Sequence, residues 1–350
     1  MLRKQPGLFS VAGVVATVAI AVGATATPSC AADFYAGKTI NFIIGGNPGG
    51  GYDTYARTVA RHLSDHIPGH PDIVPQNMPG AGSGKAATYI YAVAPKDGTV
   101  IGALYPGAIV GPLLDDKTHW HFKPTEFVYL GSADSGTRLC MTNKASTIKT
   151  FADARKRKVV LGASQAGGST RDYAYLLNHM AGSKFEVVSG YKGSSDILLA
   201  MERGEVEGLC GFDWSSLLAQ KPDWVKNHTV NLILQMGVEP NAELTKMGVP
   251  EVWKFVTSDD DRQAIKLVVS QQVFGRPYIL PPGTSAARVK TLRAAFDAAM
   301  KDDKLLADAK KERIIIDPTQ GVKAQALVAK LYATPKRIVD KAKSATTPSS

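Results

Sequence analysis

A glycine-rich segment at positions 45–53, G-G-N-P-G-G-G-Y-D, is the first stretch of the chain whose residue types indicate chemistry. Glycine loses more conformational entropy on folding than any other residue, so a cluster this dense needs a physical reason. Either the backbone adopts unusual dihedral angles in a turn, or it comes close to a ligand. The residues from which we expect binding contacts are Asn47, Pro48, Gly49, Gly50, Gly51, Tyr52 and Asp53.

A second glycine loop, P-G-A-G-S-G, occupies positions 79–84. It does not match the nucleotide-binding motifs: Ala86 stands where a P-loop needs Ser or Thr, and Lys85 stands where G-x-G-x-x-G needs its last glycine. We therefore expect no nucleotide and no other cofactor. The residues of this loop that we expect at a bound solute are Gly80, Ala81 and Gly82.

A predicted helix start near position 169 could capture an anion. The first four amides of a helix lack partners, and the helix dipole adds roughly half a positive charge there, which suits a carboxylate or phosphate. Ser169 and Thr170 are suitable capping residues, and Arg171 could add a charge-assisted hydrogen bond; capping alone is the alternative role. The other residues that we assign to this part of the binding site are Ser164, Gly168, Asp172 and Asp213.

An exported serine hydrolase is the alternative function. Ser164 lies between a predicted strand and a predicted helix, in a motif that differs from the nucleophile elbow G-x-S-x-G because Ala166 replaces the last glycine. Asp213 and His228 follow in the order Ser, Asp, His. A hydroxyl before a helix is also common because it satisfies exposed N–H groups. A serine-directed phosphonate probe would label Ser164 if the hydrolase alternative held.

The histidines give little support for a metal site. His62 and His66 are four residues apart and can share a helix face, whereas His119 and His121 alternate as on a strand. Neither pair has an acidic or cysteine ligand at a known metal-site spacing. We expect solvated surface histidines and no bound metal.

Strands and helices alternate in an order that would position these loops. The first unit has predicted strands at 39–44, 73–78 and 99–105, with helices at 52–67 and 85–93 between them. Strand, glycine loop, helix and strand is the order of a doubly wound α/β sheet. Ligands in such sheets bind outside the carboxyl ends of the strands, where both glycine loops fall.

The same order repeats downstream as a second α/β unit. The elements predicted from there to the end of the chain are strands at 158–164, 185–190, 205–212 and 230–236, and helices at 169–181, 195–203, 286–301 and 322–343. We divide the chain into a leader at 1–32, a first lobe formed by 33–137 and 229–350, and a second lobe at 138–228 inserted into it. This arrangement predicts a ligand cleft between two lobes.

The leader has the composition of a secretory signal peptide. Basic residues at positions 3–4 precede an apolar stretch at 7–23 and then small residues, so we expect cleavage after Ala31 or Ala32 and export to the periplasm. A transmembrane anchor would be longer and followed by a polar stop-transfer flank. Acylation of Cys30 remains a lipoprotein alternative.

Net charge and composition exclude some partners. The chain of 350 residues has a formal net charge of +10, two of which lie in the leader, and its single dense basic run is Lys156-Arg157-Lys158. Nucleic-acid binding would favour a clustered basic stripe with interleaved aromatic residues, and the sequence has none. We expect a monomer that mildly favours anionic partners.

After cleavage of the leader, Cys140 and Cys210 are the two cysteines that remain. The oxidising compartment permits a disulfide bond between them, and two buried free thiols are the alternative. A bond requires Cα atoms within about 7 Å of each other.

Several segments, in their order and spacing, resemble the periplasmic solute receptors of tripartite tricarboxylate transporters, known as Bug proteins. The matching stretches are I-N-F-I-I-G-G-N-P-G-G-G-Y-D-T-Y-A-R, N-M-P-G-A-G-S-G, A-P-K-D-G-T, G-A-S-Q-A-G-G-S-T, Y-K-G-S-S-D-I-L-L-A-M-E-R-G-E-V-E-G and P-P-G-T-S. The resemblance implies a two-lobed type II binding protein, with a doubly wound mixed sheet in each lobe, that closes on a small organic acid. It implies no enzymatic activity, and it implies membrane permease subunits as partners.

The resemblance also implies roles for individual residues. It assigns the carboxylate to Ser169, Thr170 and nearby amides, with backbone contacts from 48–53, often through ordered waters. The Y-K-G turn that would complete the walls consists of Tyr191, Lys192 and Gly193. Departures from the family pattern lie beside the expected ligand. Residues 45–47 lack the bulky residue with which family members usually begin this loop. Tyr52 stands where they often have a small residue, and Asp172 stands where many have His. The identity of the acid therefore does not transfer with the resemblance.

Overall fold

The computed structural model describes residues 1–2, 34–49, 51–115, 119–164, 168–191 and 193–348. The predicted leader, with Cys30 and its cleavage site, lies outside these ranges except for its first two residues. The strands are β1 Thr39–Ile44, β2 Asp72–Asn77, β3 Val100–Ala103, β4 Val128–Ser132, β5 Arg138–Asn143, β6 Val159–Ala163, β7 Phe185–Ser189, β8 Gly208–Asp213, β9 Val230–Met236, β10 Pro277–Leu280 and β11 Thr319–Gln320.

Helices cover both sheets and connect their strands. They are α1 Gly51–Leu63, α2 Gly84–Ala92, α3 Pro106–Leu114, α4 Phe151–Lys156, α5 Ser169–Met180, α6 Ser194–Glu202, α7 Trp214–Gln220, α8 Pro222–Lys226, α9 Ala242–Lys246, α10 Asp259–Val269, α11 Ala286–Ala299, α12 Asp303–Lys311, α13 Gly321–Tyr332 and α14 Lys336–Ala345. Among the described residues, no helix combines the length and the apolar character that crossing a lipid bilayer requires.

The first sheet has the strand order β11-β4-β10-β3-β1-β2. β1 runs parallel to β2 and β3, whereas β10 is antiparallel to β3 and β4, so the sheet is mixed. Along β1, Ile43 packs into one hydrophobic cluster, whereas Phe42 and Ile44 pack into another. Apolar residues are buried on both faces because helices cover both sides of this central strand.

The second sheet has the strand order β7-β6-β8-β5-β9 and is mixed as well. β6 is parallel to β7 and β8, and β5 is antiparallel to β8 and β9. The second sheet therefore extends beyond position 228, where the sequence predicts the return to the first lobe. The apolar run 230–236 needs burial, but its composition does not specify which sheet buries it. Two mixed sheets confirm the predicted fold class.

Segments that cross between the sheets lie side by side. The amide of Ala133 donates to the carbonyl of Arg276 at 3.1 Å, and the amide of Gly275 donates to the carbonyl of Asp134 at 3.0 Å. A third segment joins them, because the amide of Asp317 donates to the carbonyl of Ala133 at 3.1 Å. These backbone bonds fix the connection on which the relative position of the two sheets depends.

The C-terminal part contains two helices instead of the single helix predicted at 322–343. α13 ends at Tyr332 and α14 begins at Lys336, with Pro335 between them. Proline has no N–H to donate, and its ring disfavours helical dihedral angles in the preceding residue, so the helix stops there. α14 packs against α10, α5 and α3.

A disulfide bond joins Cys140 in β5 to Cys210 in β8, which answers the question that the sequence left open. The two Cα atoms are 3.9 Å apart, and the ladder between these strands shifts register at this point. Both cysteines are fully buried. The bond therefore links adjacent strands in the interior of the second sheet.

Candidate functional site

A cavity of about 450 Å³ lies at the carboxyl ends of the first sheet's parallel strands. Its lining residues are Gly45, Asn47, Pro79, Gly80, Gly82, Ser83 and Tyr105. Asn47, Gly80 and Gly82 belong to the residues predicted from the sequence. The two glycine loops therefore meet around one cavity, together with Tyr105, which lies two residues after the end of β3.

The second glycine loop has an unusual backbone. Ala81, Gly82 and Ser83 have φ values of 47°, 57° and 74°, so three consecutive residues occupy the left-handed region. Residues other than glycine occupy this region at a cost, and such strain persists only where neighbouring contacts enforce it. The Ser83 hydroxyl supplies these contacts, because it donates to the carbonyl of Gly45 and accepts from the amide of Tyr105, both at 3.0 Å.

Gly45 shows why the first loop needs glycine. A Cβ atom added there would lie 2.4 Å from the Oγ atom of Ser83. Real Cβ contacts do not approach this closely, so only glycine lets the two loops touch. The glycines thus permit close approach of backbone to backbone, and the cavity forms beside that contact.

Asp53 holds the first loop in place. Its carboxylate accepts from the Gly49 amide at 2.8 Å, from Arg57 Nε at 2.9 Å and from Asn77 Nδ2 at 2.9 Å. Burial alone would raise the pKa of Asp53, but the hydrogen bonds from Arg57, Gly49 and Asn77 lower it. With 4% exposure, Asp53 tethers the loop to β2. Asn47, Pro48, Gly49 and Gly51 are exposed beside it, and Gly50 lies outside the described residues.

Arg276, Tyr52 and Tyr105 form a stacked column next to the cavity. The guanidinium carbon of Arg276 lies 4.1 Å from the ring centre of Tyr52 and 4.6 Å from that of Tyr55. The rings of Tyr52 and Tyr105 have their centres 4.1 Å apart at an interplanar angle of 38°. Arg276 and Tyr105 were not predicted as site residues, although Tyr105 is the last residue of the strand predicted at 99–105, at the end where ligands bind.

Charged residues from the second sheet and from the crossing segment surround Arg276. Burial alone would lower the pKa of Arg276, but Tyr52, Asp213 and Asp134 raise it, so the guanidinium is charged. Arg138 Nη1 lies 3.7 Å from Asp213 Oδ2. Burial alone would raise the pKa of Asp213, but Arg138 and Arg276 lower it. One buried arginine therefore interacts with Tyr52 from the first glycine loop and with Asp213 at the carboxyl end of β8.

Asp134 and Arg276 each carry a polar atom without a hydrogen-bond partner. Within the part of the chain that the structure describes, these are Asp134 Oδ2 and Arg276 Nε, both buried. Burial, followed by repulsion from Asp213, raises the pKa of Asp134 to about 7. Asp213 is better satisfied, because it also accepts from the Ser216 amide at 3.1 Å and caps α7.

The start of α5 is organised by contacts within its own loop. The Oγ1 atom of Thr170 accepts from the Ser164 amide at 2.9 Å and lies 2.8 Å from the Ser164 hydroxyl. The Gly168 carbonyl accepts from the amides of Arg171 and Asp172, both at 3.0 Å. Residues 165–167 of this loop lie outside the described residues. The assignment of Ser169 and Thr170 to a bound carboxylate stays a prediction.

Arg171 contacts the C-terminal region. Its Nη1 atom lies 3.2 Å from Asp172 Oδ1 and 3.4 Å from the Thr346 carbonyl, and its guanidinium lies 4.8 Å from the ring centre of Tyr175. Arg171 and Asp172, the two charged residues that were predicted at this helix start, therefore both interact with groups of the protein itself. A role in solute binding for Arg171 and Asp172 stays a prediction.

The Y-K-G turn lies between β7 and α6. The Tyr191 amide donates to the Ala163 carbonyl at 3.3 Å, and Gly193 has an extended backbone and begins α6 as its N-cap. Lys192 lies outside the described residues. The predicted contacts of this turn with a solute remain a prediction as well.

The alternative catalytic triad is not assembled. In the strand ladders, Asp213 lies opposite Arg138, and Arg138 lies opposite Met236 at one end of β9. His228 precedes Val230, which is at the other end of β9. Six residues of strand separate these ends by about 20 Å. Asp213 therefore cannot orient His228, and the hydrolase alternative is wrong because His228 lies at the opposite end of the sheet from Asp213.

His62 and His66 pair with Asp308 on α12 and with Asp302, the N-cap of α12. His62 Nε2 lies 3.0 Å from Asp308 Oδ2, and His66 Nε2 lies 2.8 Å from Asp302 Oδ2. His62 is buried, so the expectation of solvated histidines was wrong for this residue. Across the described ranges, no group of three or more His, Cys, Asp or Glu side chains is arranged to hold a metal ion.

Comparisons with known proteins place the fold. No protein-family model and no curated protein matches the chain. Among solved structures, a TctC solute binding protein from Polaromonas is similar at 18% identity, with a TM-score of 0.68 over 87% of this chain and 98% of that one. The chain has a two-lobed periplasmic binding protein fold.

Two further solved structures share this fold. An R. palustris protein solved with adipate is 19% identical, with a TM-score of 0.62 over 87% of this chain and 97% of that one. The periplasmic binding protein BugD is 16% identical, with a TM-score of 0.58 over 88% of this chain and 97% of that one. These similarities confirm, at the level of the fold, the resemblance to Bug proteins.

Proposed function

We propose that the chain is an extracytoplasmic solute receptor of the Bug family that binds a small organic acid and delivers it to a tripartite transporter. The observation that carries the proposal is the meeting of the glycine loops 45–49 and 79–84 around one cavity of about 450 Å³. This volume lies in the range of small-molecule sites. The similar R. palustris protein was solved with a dicarboxylate, adipate.

The electrostatics of the site favour an anion. Backbone of both loops lines the cavity, and the charged Arg276 lies behind Tyr52. In the closed state, the amides at the start of α5 face the acid from the second lobe, with Ser169 and Thr170 beside them. Hinged closure over the solute takes place around the crossing segments 133–137 and 270–276.

No bond is made or broken in this function. The separation of Asp213 from His228 removes the geometry that a serine hydrolase needs. The leader sequence supports a periplasmic location, and the resemblance to Bug proteins supports permease subunits as partners. We propose a monomeric receptor without cofactor.

Thermal unfolding of the mature chain with a panel of mono-, di- and tricarboxylates and amino acids tests the proposal. A ligand that binds only the native state raises the unfolding temperature, and titration calorimetry then gives its affinity. The double variant Ser169→Ala, Thr170→Ala should weaken binding. The control is Thr257→Ala, Ser258→Ala, which removes one threonine and one serine hydroxyl just before α10, where Ser258 is the N-cap.

Binding that weakens in the first variant and not in the control supports both the receptor function and the site. No stabilisation by any acid of the panel would contradict the receptor function. Equal binding by both variants would contradict the assignment of Ser169 and Thr170 but leave the receptor function intact.

A further inference from the structure

The column Arg276–Tyr52–Tyr105 brings an aromatic surface to the cavity. The guanidinium carbon of Arg276 lies 4.1 Å from the ring centre of Tyr52, and the ring centres of Tyr52 and Tyr105 are 4.1 Å apart. Among the described residues that line the cavity, Tyr105 is the one that is aromatic. A cation above a ring attracts its electron density. The column thus places a positive potential behind the ring wall while the guanidinium itself remains buried.

Tyr105 is held in position before any ligand arrives. Its backbone amide donates to Ser83 Oγ at 3.0 Å. Its hydroxyl forms a hydrogen bond with the backbone of Asn47. A Cβ atom added at Gly46 would lie 2.9 Å from the same hydroxyl, so glycine at 46 makes room for the ring. A ring that is already ordered loses little entropy when a ligand stacks on it.

The rest of the lining leaves space beside this ring. Besides Tyr105, it consists of Asn47, Pro79, Ser83 and three glycines. Small residues and backbone provide amides for a carboxylate, but they provide little apolar surface. A ligand that buries apolar area in this cavity must therefore find it on Tyr105 and Pro79.

We infer that the organic acid of this receptor is an aromatic carboxylate whose ring stacks against Tyr105, with its carboxylate directed to the amides of the glycine loops. The inference rests on the proposed receptor function and names its class of ligand. An aromatic pair adds to affinity beyond the area that it buries, and the added effect corresponds to roughly a three- to tenfold lower Kd. A saturated ring of the same size lacks this contribution.

The test compares matched acids on the mature chain by titration calorimetry. Benzoate is compared with cyclohexanecarboxylate, and benzene-1,4-dicarboxylate with adipate and with cyclohexane-1,4-dicarboxylate. The variants are Tyr105→Leu, which removes the ring, and Tyr105→Phe, which keeps it. Tyr91→Leu is the control, because Tyr91 lies on α2 and contacts Phe127 edge to face outside the cavity lining.

The inference predicts that the aromatic acid binds roughly three to ten times more tightly than its saturated partner. This ratio should persist in Tyr105→Phe and in Tyr91→Leu, and it should fall to about one in Tyr105→Leu. Retention of the ratio in Tyr105→Leu would overturn the inference. Tighter binding of the saturated or linear acids would overturn it too, but would uphold the receptor function. Binding of no acid at all would overturn both.

Discussion

The guanidinium of Arg276 lies 4.1 Å from the ring of Tyr52, and this contact connects two distant parts of the chain. Arg276 precedes β10 in a segment that crosses between the sheets, whereas Tyr52 lies in the first turn of α1. A movement of the crossing segment that carries Arg276 would therefore displace Tyr52 and the first glycine loop. The contact gives a physical route by which solute binding and lobe closure can be coupled.

Removal of this cation should weaken both the fold and the site. In Arg276→Met, Asp213 and Asp134 lose a buried neighbour of opposite charge, which costs about 3 kcal/mol of stability. We also expect weaker binding of every carboxylate, because the positive potential behind Tyr52 is lost. Denaturant unfolding and titration calorimetry measure the two effects. Unchanged affinity in a folded variant would show that Arg276 does not contribute to the site.

The close approach of Gly45 to Ser83 predicts the effect of an added methyl group. Gly45→Ala should destabilise the protein by about 1–3 kcal/mol and weaken binding, because the methyl group forces the two loops apart. Ser83→Gly in the same chain should restore part of the loss, since it removes the clashing side chain from a residue with φ of 74°.

Gly107→Ala is the control for this pair, because a Cβ atom there meets nothing within 4 Å. It should not weaken binding. Thermal unfolding and calorimetry on wild type, Gly45→Ala, Ser83→Gly and the double variant form the double-mutant cycle. Strictly additive effects of Gly45→Ala and Ser83→Gly would contradict the proposed contact between the loops.

Asp134 predicts a pH dependence of stability. Its pKa is about 7 in the folded protein and 3.8 as an ordinary aspartate, so the folded state binds its proton more tightly. The contribution of Asp134 to the free energy of unfolding is therefore fully present at low pH and is lost as the pH rises from about 4 to 7. Asp213, whose pKa is lowered, acts in the opposite sense and only below its ordinary pKa of 3.8.

The variant Asp134→Asn isolates this effect. Between pH 5 and pH 8 the wild-type protein should lose stability relative to the variant, on the order of 2 kcal/mol. Urea unfolding at four pH values measures the difference. A constant difference between the two proteins over this range would contradict the ionisation of Asp134 in the interior.

The disulfide between Cys140 and Cys210 should contribute to stability without shaping the cavity. The two cysteines are 70 positions apart in the sequence. Because the bond restricts the unfolded chain, it should stabilise the folded state by at most about 4 kcal/mol. The double variant Cys140→Ala, Cys210→Ala should therefore unfold at lower denaturant concentration but bind the acid as before. Reduction of the wild-type protein should give the same loss. No loss on reduction would indicate that the bond is absent in solution.

Local sequence patterns predicted the parts of the fold that depend on local chemistry. The apolar run before Gly45 and the glycine loop after it identified β1 and the start of α1, because burial and turn chemistry are visible in neighbouring residues. The placement of β9 beside β5 depends on long-range pairing, which leaves little trace in the run 230–236 itself. For the same reason the sequence could not exclude a triad of Ser164, Asp213 and His228.

Part of the candidate site was visible in the sequence and part was not. Asn47, Gly80 and Gly82 were found because glycine loops after strands carry a recognisable pattern. Arg276 was missed because it is 224 positions from Tyr52 in the sequence, and an isolated arginine before a strand has no distinguishing neighbours. Tertiary contact alone gives Arg276 its role.

A crystal structure of the mature chain with a bound carboxylate would show which residues hold the solute. The account predicts the carboxylate between the loops 45–53 and 79–84 on one side and the start of α5 on the other, with amides from both lobes within hydrogen-bonding distance. A carboxylate bound elsewhere, with these loops empty and facing solvent, would contradict it.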